Sequence, residues 1–195
     1  MIKVQPHGKI LHPSLKTVFN SLFATTILST VPSLSYANDN LTHAGDALQI
    51  AIPLGAAAIS IAKNDYEGLG QHIEGIFWTS VATRSLKYVI DERRPNGADD
   101  NSFPSGHTSV AFQGATYLQA RYGLAYGAPA YLLASVVGYS RVESKNHYWK
   151  DVIAGAALGS GIQFAISELG WSATNWVITP MVTDESIGVY ASVSY

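Results

Sequence analysis

Between residues 46 and 62 the chain runs through Ala, Ile and Leu at a length and spacing that suit a helix better than a strand. Pro53 is expected to kink that helix, and a polar leader over 38–45 precedes it. Over 69–91, Ile73, Ile76, Phe77, Val81, Leu86 and Val89 recur near helical spacing with Arg84 and Lys87 among them, which is an amphipathic pattern. Residues 92–103 hold three acids, two Arg, two Asn, a Pro and a Gly, a loop by composition. Helical patterns resume over 106–121, 127–140 and 148–168. The uncharged stretches 124–140 and 152–167 fall short of the roughly 20 residues a bilayer span needs and are adequate for buried core helices. They favour a compact bundle over a six-span protein, although keeping the N-terminal segment would give six helical stretches. Near the end, Val189, Ala191, Val193 and Tyr195 alternate with Tyr190, Ser192 and Ser194, after a turn-like 183–186. That period of two predicts a short C-terminal β-hairpin.

Composition narrows this picture. With 195 residues, 47% hydrophobic, 13% charged and a formal charge of -2, the chain is expected to be one globular domain with no basic surface for nucleic acid. The absence of Cys excludes a disulfide scaffold, a thiol nucleophile and Cys-ligated metal. A mean hydropathy of +0.11 leaves the membrane question open. The N-terminus adds more: Lys3, Lys9 and Lys16 lead into an uncharged stretch over 17–34 that closes on Ser35-Tyr36-Ala37. This is the layout of a secretory signal over 1–37, cleaved after Ala37, with an uncleaved membrane helix as the alternative. Removal takes away three Lys and no acid, leaving an acidic domain over 38–195 in the periplasm or cell envelope. An integral inner-membrane form is the alternative placement.

Three segments carry phosphate-competent groups. Lys87 and Arg94, followed by Pro95, lie at seven-residue spacing, two turns apart on one side if the helix extends that far. Ser105-Gly106 opens a helical pattern, so free backbone N–H groups and the positive helix end can cradle an anion with His107 at its mouth. Arg141 closes another helical pattern, and His147 precedes Asp151 by four residues, so a helix starting there makes them neighbours. Each segment alone also reads as an ordinary helix end, N-cap or surface ion pair. Together they supply cations to neutralise phosphoryl charge, one imidazole to attack and another to protonate the leaving oxygen. No carboxylate cluster suggests a metal cage, and no cofactor is expected.

The order Lys-x6-Arg-Pro, Pro-Ser-Gly-His, Ser-Arg-x5-His-x3-Asp is met here by Lys87, Arg94 and Pro95, by Pro104, Ser105, Gly106 and His107, and by Ser140, Arg141, His147 and Asp151. In these residues the chain resembles the type 2 phosphatidic acid phosphatase family, whose fold and site are shared by bacterial class A acid phosphatases and vanadium haloperoxidases. The resemblance covers about 46–170 and implies an all-α helical bundle. It implies that Lys87, Arg94, Arg141, Ser105 and the Gly106 amide hold phosphate oxygens. His147 is then the nucleophile forming a phosphohistidine, Asp151 orients it, and His107 is general acid and then base.

Only eight residues separate Pro95 from Pro104, which argues against a large substrate-gripping element there. The expectation is a phosphatase of phosphomonoesters or diphosphates, lipid-linked, with peripheral or integral membrane association. A vanadate-dependent haloperoxidase and a non-catalytic phospholipid-binding envelope protein are the alternatives. Outside the motifs, Arg93 is expected to pair with Asp91 or Glu92, and His43 and His72 to be surface or packing residues. Tyr148 and Trp149 are expected to be aromatic core, with an acyl-chain entrance as the second reading.

Overall fold

The computed structural model describes residues 38–182 and 187–193, so the expected signal segment, the 183–186 turn and the last two residues lie outside the described part. Among the described residues five α-helices follow one another: α1 Asn38–Ala62, α2 Tyr66–Val89, α3 Gly106–Tyr122, α4 Leu124–Glu143 and α5 Trp149–Ser167. A 3-10 turn at Ala173–Asn175 leads into β1 Trp176–Val182, which pairs antiparallel with β2 Ile187–Val193 in the register Trp176 to Val193. The all-α bundle and its terminal hairpin match the sequence expectation. One correction concerns the polar leader: residues 38–45 form the first two turns of α1, and Pro53 lies inside that helix.

The helix ends are set by local chemistry. Asp65 caps α2, accepting from the Gly68 amide at 2.9 Å, and Gly123, at a φ of 81°, ends α3 and lets the chain turn at once into α4. α3 is the central helix, in contact with all four others, and its buried residues include Ala111, Gly114, Ala115, Tyr117 and Leu118. Ile52 and Ala56 of α1 and Ala130, Ala134 and Val137 of α4 complete the apolar core around it.

α5 reaches α3 through glycine. A side chain at Gly155 would lie 2.5 Å from the Ser105 carbonyl, and one at Gly159 would overlap the Ser109 carbonyl. The two backbones therefore touch, and the Ser105 amide donates to the Asp151 carbonyl at 3.0 Å. That contact sets the start of α3 beside the start of α5.

Between α2, α3 and α5 the core is polar. His72 is fully buried, its Nε2 3.0 Å from the Pro53 carbonyl and its Nδ1 3.2 Å from Gln113 Nε2. A carbonyl only accepts, so Nε2 carries the proton and Nδ1 accepts from Gln113. Burial lowers the His72 pKa, in keeping with a neutral ring. This is a packing residue, as expected, but a hydrogen-bonded one. At the end of the bundle where α2 begins and α3 ends, Arg121 grips Asp65 with two bonds of 2.7 Å, and Tyr122 Oη donates to the same carboxylate at 2.9 Å.

Candidate active site

The α2–α3 loop is folded back on itself. The Glu92 amide donates to the Asp100 carbonyl at 3.0 Å, the Ser102 amide to the Glu92 carbonyl at 2.8 Å and the Arg94 amide to the Asp99 carbonyl at 2.9 Å. α2 stops at Val89, so Arg94 is carried by this loop and not by a continuation of the helix. The expectation of a shared helical face for Lys87 and Arg94 is corrected accordingly. Arg93 pairs with Asp100 at 3.5 Å and the Gly97 carbonyl at 3.0 Å, in place of Asp91 or Glu92.

Each motif cation is held by a backbone carbonyl. Lys87 Nζ donates to Asn101 at 2.6 Å and Ser102 at 3.3 Å, Arg94 Nη1 to Asn146 at 3.2 Å, and Arg141 Nη2 to Thr42 at 2.9 Å. Carbonyls orient a cation without cancelling its charge. Carboxylates add to two of them: Arg94 Nε donates to Asp99 at 2.6 Å, and Arg141 Nη1 to Asp46 at 2.8 Å.

His147 lies in the turn after α4, where its amide and that of Asn146 both return to the Arg141 carbonyl. The ring is buried, with Nε2 3.4 Å from Arg94 Nη1 and Nδ1 3.6 Å from Asp151 Oδ2. A guanidinium has no lone pair to offer, so the proton belongs on Nδ1, toward Asp151, and the Nε2 lone pair faces the cations. Asp151 is fully buried in the first turn of α5; its Oδ2 accepts from Ser102 Oγ at 2.5 Å and from the Tyr148 amide at 2.9 Å. A carboxylate there also meets the positive end of the helix. Burial pushes the His147 pKa down to about 4, with Arg94 and Lys87 adding to the fall and Asp151 and the Ser102 carbonyl opposing it. Burial, with the nearby Arg94, lowers Lys87 to about 8.

Ser105 is the N-cap residue of α3 and is fully buried; its hydroxyl lies 2.9 Å from Thr108 Oγ1 and makes no cap bond. Gly106 begins the helix, so its amide and that of His107 belong to the unpaired first turn. His107 Nε2 lies 3.1 Å from Asp46 Oδ1. Burial and Arg141 lower its pKa, against the pull of Asp46. Tyr148 and Trp149 are 42% and 54% exposed, so the core reading for them is overturned. Tyr148 sits under Lys150 Nζ at 5.6 Å and Trp149 beside Tyr139 at 6.3 Å.

Lys87, Arg94, Arg141, His107, His147 and Asp151 thus gather at one end of the bundle, where α3 and α5 begin. Sequence reasoning missed Asp46, whose helix was legible but whose partners lie 61 and 95 positions away. The match to known families runs over the same ground: residues 70–174 fit the PAP2 superfamily. This chain belongs to the PAP2 superfamily. The matched span holds all eleven motif residues, while α1 and Asp46 precede it.

Among PAP2 relatives, the chain is 29% identical over 180 residues to the lipid A 1-phosphatase of Porphyromonas gingivalis, covering 86% of this chain and 39% of that protein. It is 26% identical over 159 residues to the lipid A 4'-phosphatase of Helicobacter pylori, covering 76% of this chain and 79% of that protein. The crystal structure of Aquifex aeolicus LpxE superposes with a TM-score of 0.60 at 25% identity, covering 78% of this chain and 96% of that one.

Proposed function

We propose that this PAP2 chain is a metal-independent phosphatase that removes phosphate from a phosphorylated lipid through a phosphohistidine on His147. The observation that carries this is the site itself. A buried imidazole presents Nε2 beside Arg94, with Lys87 and Arg141 in the same cradle and Asp151 behind the ring. The Nε2 lone pair attacks phosphorus and the ester P–O bond breaks, with His107 giving its proton to the leaving oxygen. Water then attacks the phosphohistidine while His107 takes a proton from it, the P–N bond breaks, and inorganic phosphate leaves. Lys87, Arg94, Arg141 and the first amides of α3 stabilise the charge on the equatorial oxygens in both steps.

A lipid substrate is supported by the names of the relatives, two of them lipid A phosphatases, and by the surface. Ile50, Leu54 and Ile61 of α1 and Ile73, Phe77 and Trp78 of α2 are each at least half exposed, an apolar exterior suited to a membrane. Among the described residues one helix, Asp39–Ala62, is long and apolar enough to cross a bilayer. Lipid A-type sugar phosphates are the first substrates to try. Residues 1–37 are proposed to direct export, which places the site in the periplasm or at the envelope.

The test is phosphate release by the purified full chain in EDTA, from an aryl phosphate and from lipid A in mixed micelles, beside His147→Ala. Wild type is expected to turn over and to trap an acid-labile, base-stable phosphoenzyme from labelled substrate, and His147→Ala to do neither. A folded His147→Ala that retains turnover removes the nucleophile. A wild type that binds lipid phosphate without releasing phosphate makes the chain a binding protein.

A further inference from the structure

Asp46 is an acid on α1 whose one oxygen, Oδ1, bonds two residues of the cradle: His107 Nε2 of α3 at 3.1 Å and Arg141 Nη1 of α4 at 2.8 Å. The fold makes room for this contact. At the neighbouring Gly45 a side chain would overlap Ser140 Oγ and stand 2.8 Å from Arg141 Nη2. Any other residue would therefore hold α1 off α4. Arg141 is also bound by the Thr42 carbonyl one turn earlier on α1 and by Ser140 Oγ at 3.1 Å, so its place does not depend on Asp46 alone. Among the described residues, Asp46 is the hydrogen-bond partner of the His107 ring, with no second anchor of that kind beside it.

We propose that Asp46 is the positioning residue of the general acid, fixing which nitrogen of His107 exchanges protons; this rests on the phosphatase reading above. An ionised carboxylate only accepts, so Nε2 keeps its proton in both charge states of the ring. Nδ1 is then the nitrogen that titrates. As imidazolium, His107 gives the Nδ1 proton to the leaving oxygen as the P–O bond breaks and is left as the Nε2–H tautomer. The free Nδ1 lone pair then takes the proton of the attacking water, and the imidazolium is restored. Without Asp46 the neutral ring can rest as the Nδ1–H tautomer, which cannot act as base from that nitrogen.

Asp46 of α1 opposes Arg141 of α4 and Arg94 of the α2–α3 loop in setting the charge of His107. Lys87 of α2, Asp99 beside Arg94, His147 and Asp151 are the other ionisable groups of the cradle among the described residues and are unaltered in the test. The site thereby holds two Asp–His pairs, His147 with Asp151 and His107 with Asp46, the acid of the second coming from outside the span matched to PAP2.

The experiment compares full-length wild type, Asp46→Asn, Asp46→Glu, His107→Ala and the Asp46→Asn/His107→Ala double variant on 4-nitrophenyl phosphate and butyl phosphate. A good leaving group needs little protonation, so Asp46→Asn should lose about 10²-fold in kcat on butyl phosphate and less than about 10-fold on 4-nitrophenyl phosphate. Asp46→Glu should recover part of the loss, inhibition by inorganic phosphate should change less than kcat, and the double variant should be no slower than His107→Ala. Equal losses on both substrates, or additive losses in the double variant, overturn the proposal. NMR titration of the ring nitrogens gives a readout without turnover: in Asp46→Asn the His107 pKa should fall and the Nε2–H tautomer lose its dominance. An unchanged His107 titration overturns the proposal by itself. An inactive wild type in which Asp46→Asn still shifts His107 overturns the phosphatase reading instead.

Discussion

Gly155→Ala tests whether the α3–α5 contact sets the geometry of the site. The added methyl would sit 2.5 Å from the Ser105 carbonyl oxygen, whereas a relaxed carbon–oxygen contact is about 3.4 Å, so the start of α3 must retreat by about 0.9 Å. The Ser105 amide bond to the Asp151 carbonyl, now 3.0 Å, then lengthens to about 3.9 Å and is lost, at about 1 kcal/mol. Overpacking adds about 1–2 kcal/mol, giving a total of about 2–3 kcal/mol. The Gly106 amide and His107 ride on the displaced turn, and a shift near 1 Å between reacting groups costs about 10²-fold in rate. Gly161→Ala, on the same helix with nothing within 4 Å, is the control, expected to be neutral or stabilising by up to about 1 kcal/mol. Urea unfolding gives the stability, and kcat on an aryl phosphate well below the unfolding midpoint gives the rate. If Gly155→Ala matches Gly161→Ala in both, the close approach of the two helices does not hold the catalytic residues in place.

Two further outcomes follow from charge. His147 must be neutral to attack, so kcat/KM should rise through pH about 4; His107 must be protonated to act as an acid, so the profile should fall through a pKa below the ordinary 6.5. The acid optimum is read from a pH series corrected for the substrate's own ionisation near 6, and a plateau reaching pH 8 would contradict it. Asp65→Asn should cost about 2–3 kcal/mol near neutrality by weakening the bonds to Arg121. The Asp65 pKa lies well below its usual value, chiefly through Arg121, so this stability is complete above about pH 5 and disappears as pH falls through the folded-state pKa. Urea titrations of both proteins at pH 7 and pH 3 should show the gap narrowing at the lower pH; a constant gap refutes the ion pair as its source.

The helices were legible because apolar positions recur at helical spacing and because Pro and Gly punctuate them. The cradle was legible because Lys87, Arg94, His107, Arg141, His147 and Asp151 fall at motif spacings. What was missed depends on packing between distant segments. α2 ends five residues before Arg94, so the guanidinium reaches His147 through loop hydrogen bonds that no helical periodicity encodes. Asp46 was given no role, since nothing local tells that Gly45 lets α1 settle on Ser140 and Arg141. Tyr148 and Trp149 looked like core because aromatic residues usually are, yet they stand at the exposed start of α5.

The loop between α2 and α3 is fastened at its foot by the Glu92–Ser102 bond, by the pairing of Arg94 with Asp99, and by the 2.7 Å ion pair of Glu92 with Lys150. Its tip, where Gly97 has a φ of 72°, is pinned to the turn before His147: the Asn96 amide donates to the Lys145 carbonyl at 3.0 Å and Asn96 Nδ2 to Asn146 Oδ1 at 3.0 Å. The tip is therefore coupled to the turn that carries His147. Doubling the eight residues between Pro95 and Pro104 would add only about 0.6 kcal/mol of closure entropy. The loop is a strap buckled across the nucleophile's turn, and a recognition element spliced into it leaves Arg94 and His147 at their stations only while Asn96 stays fastened.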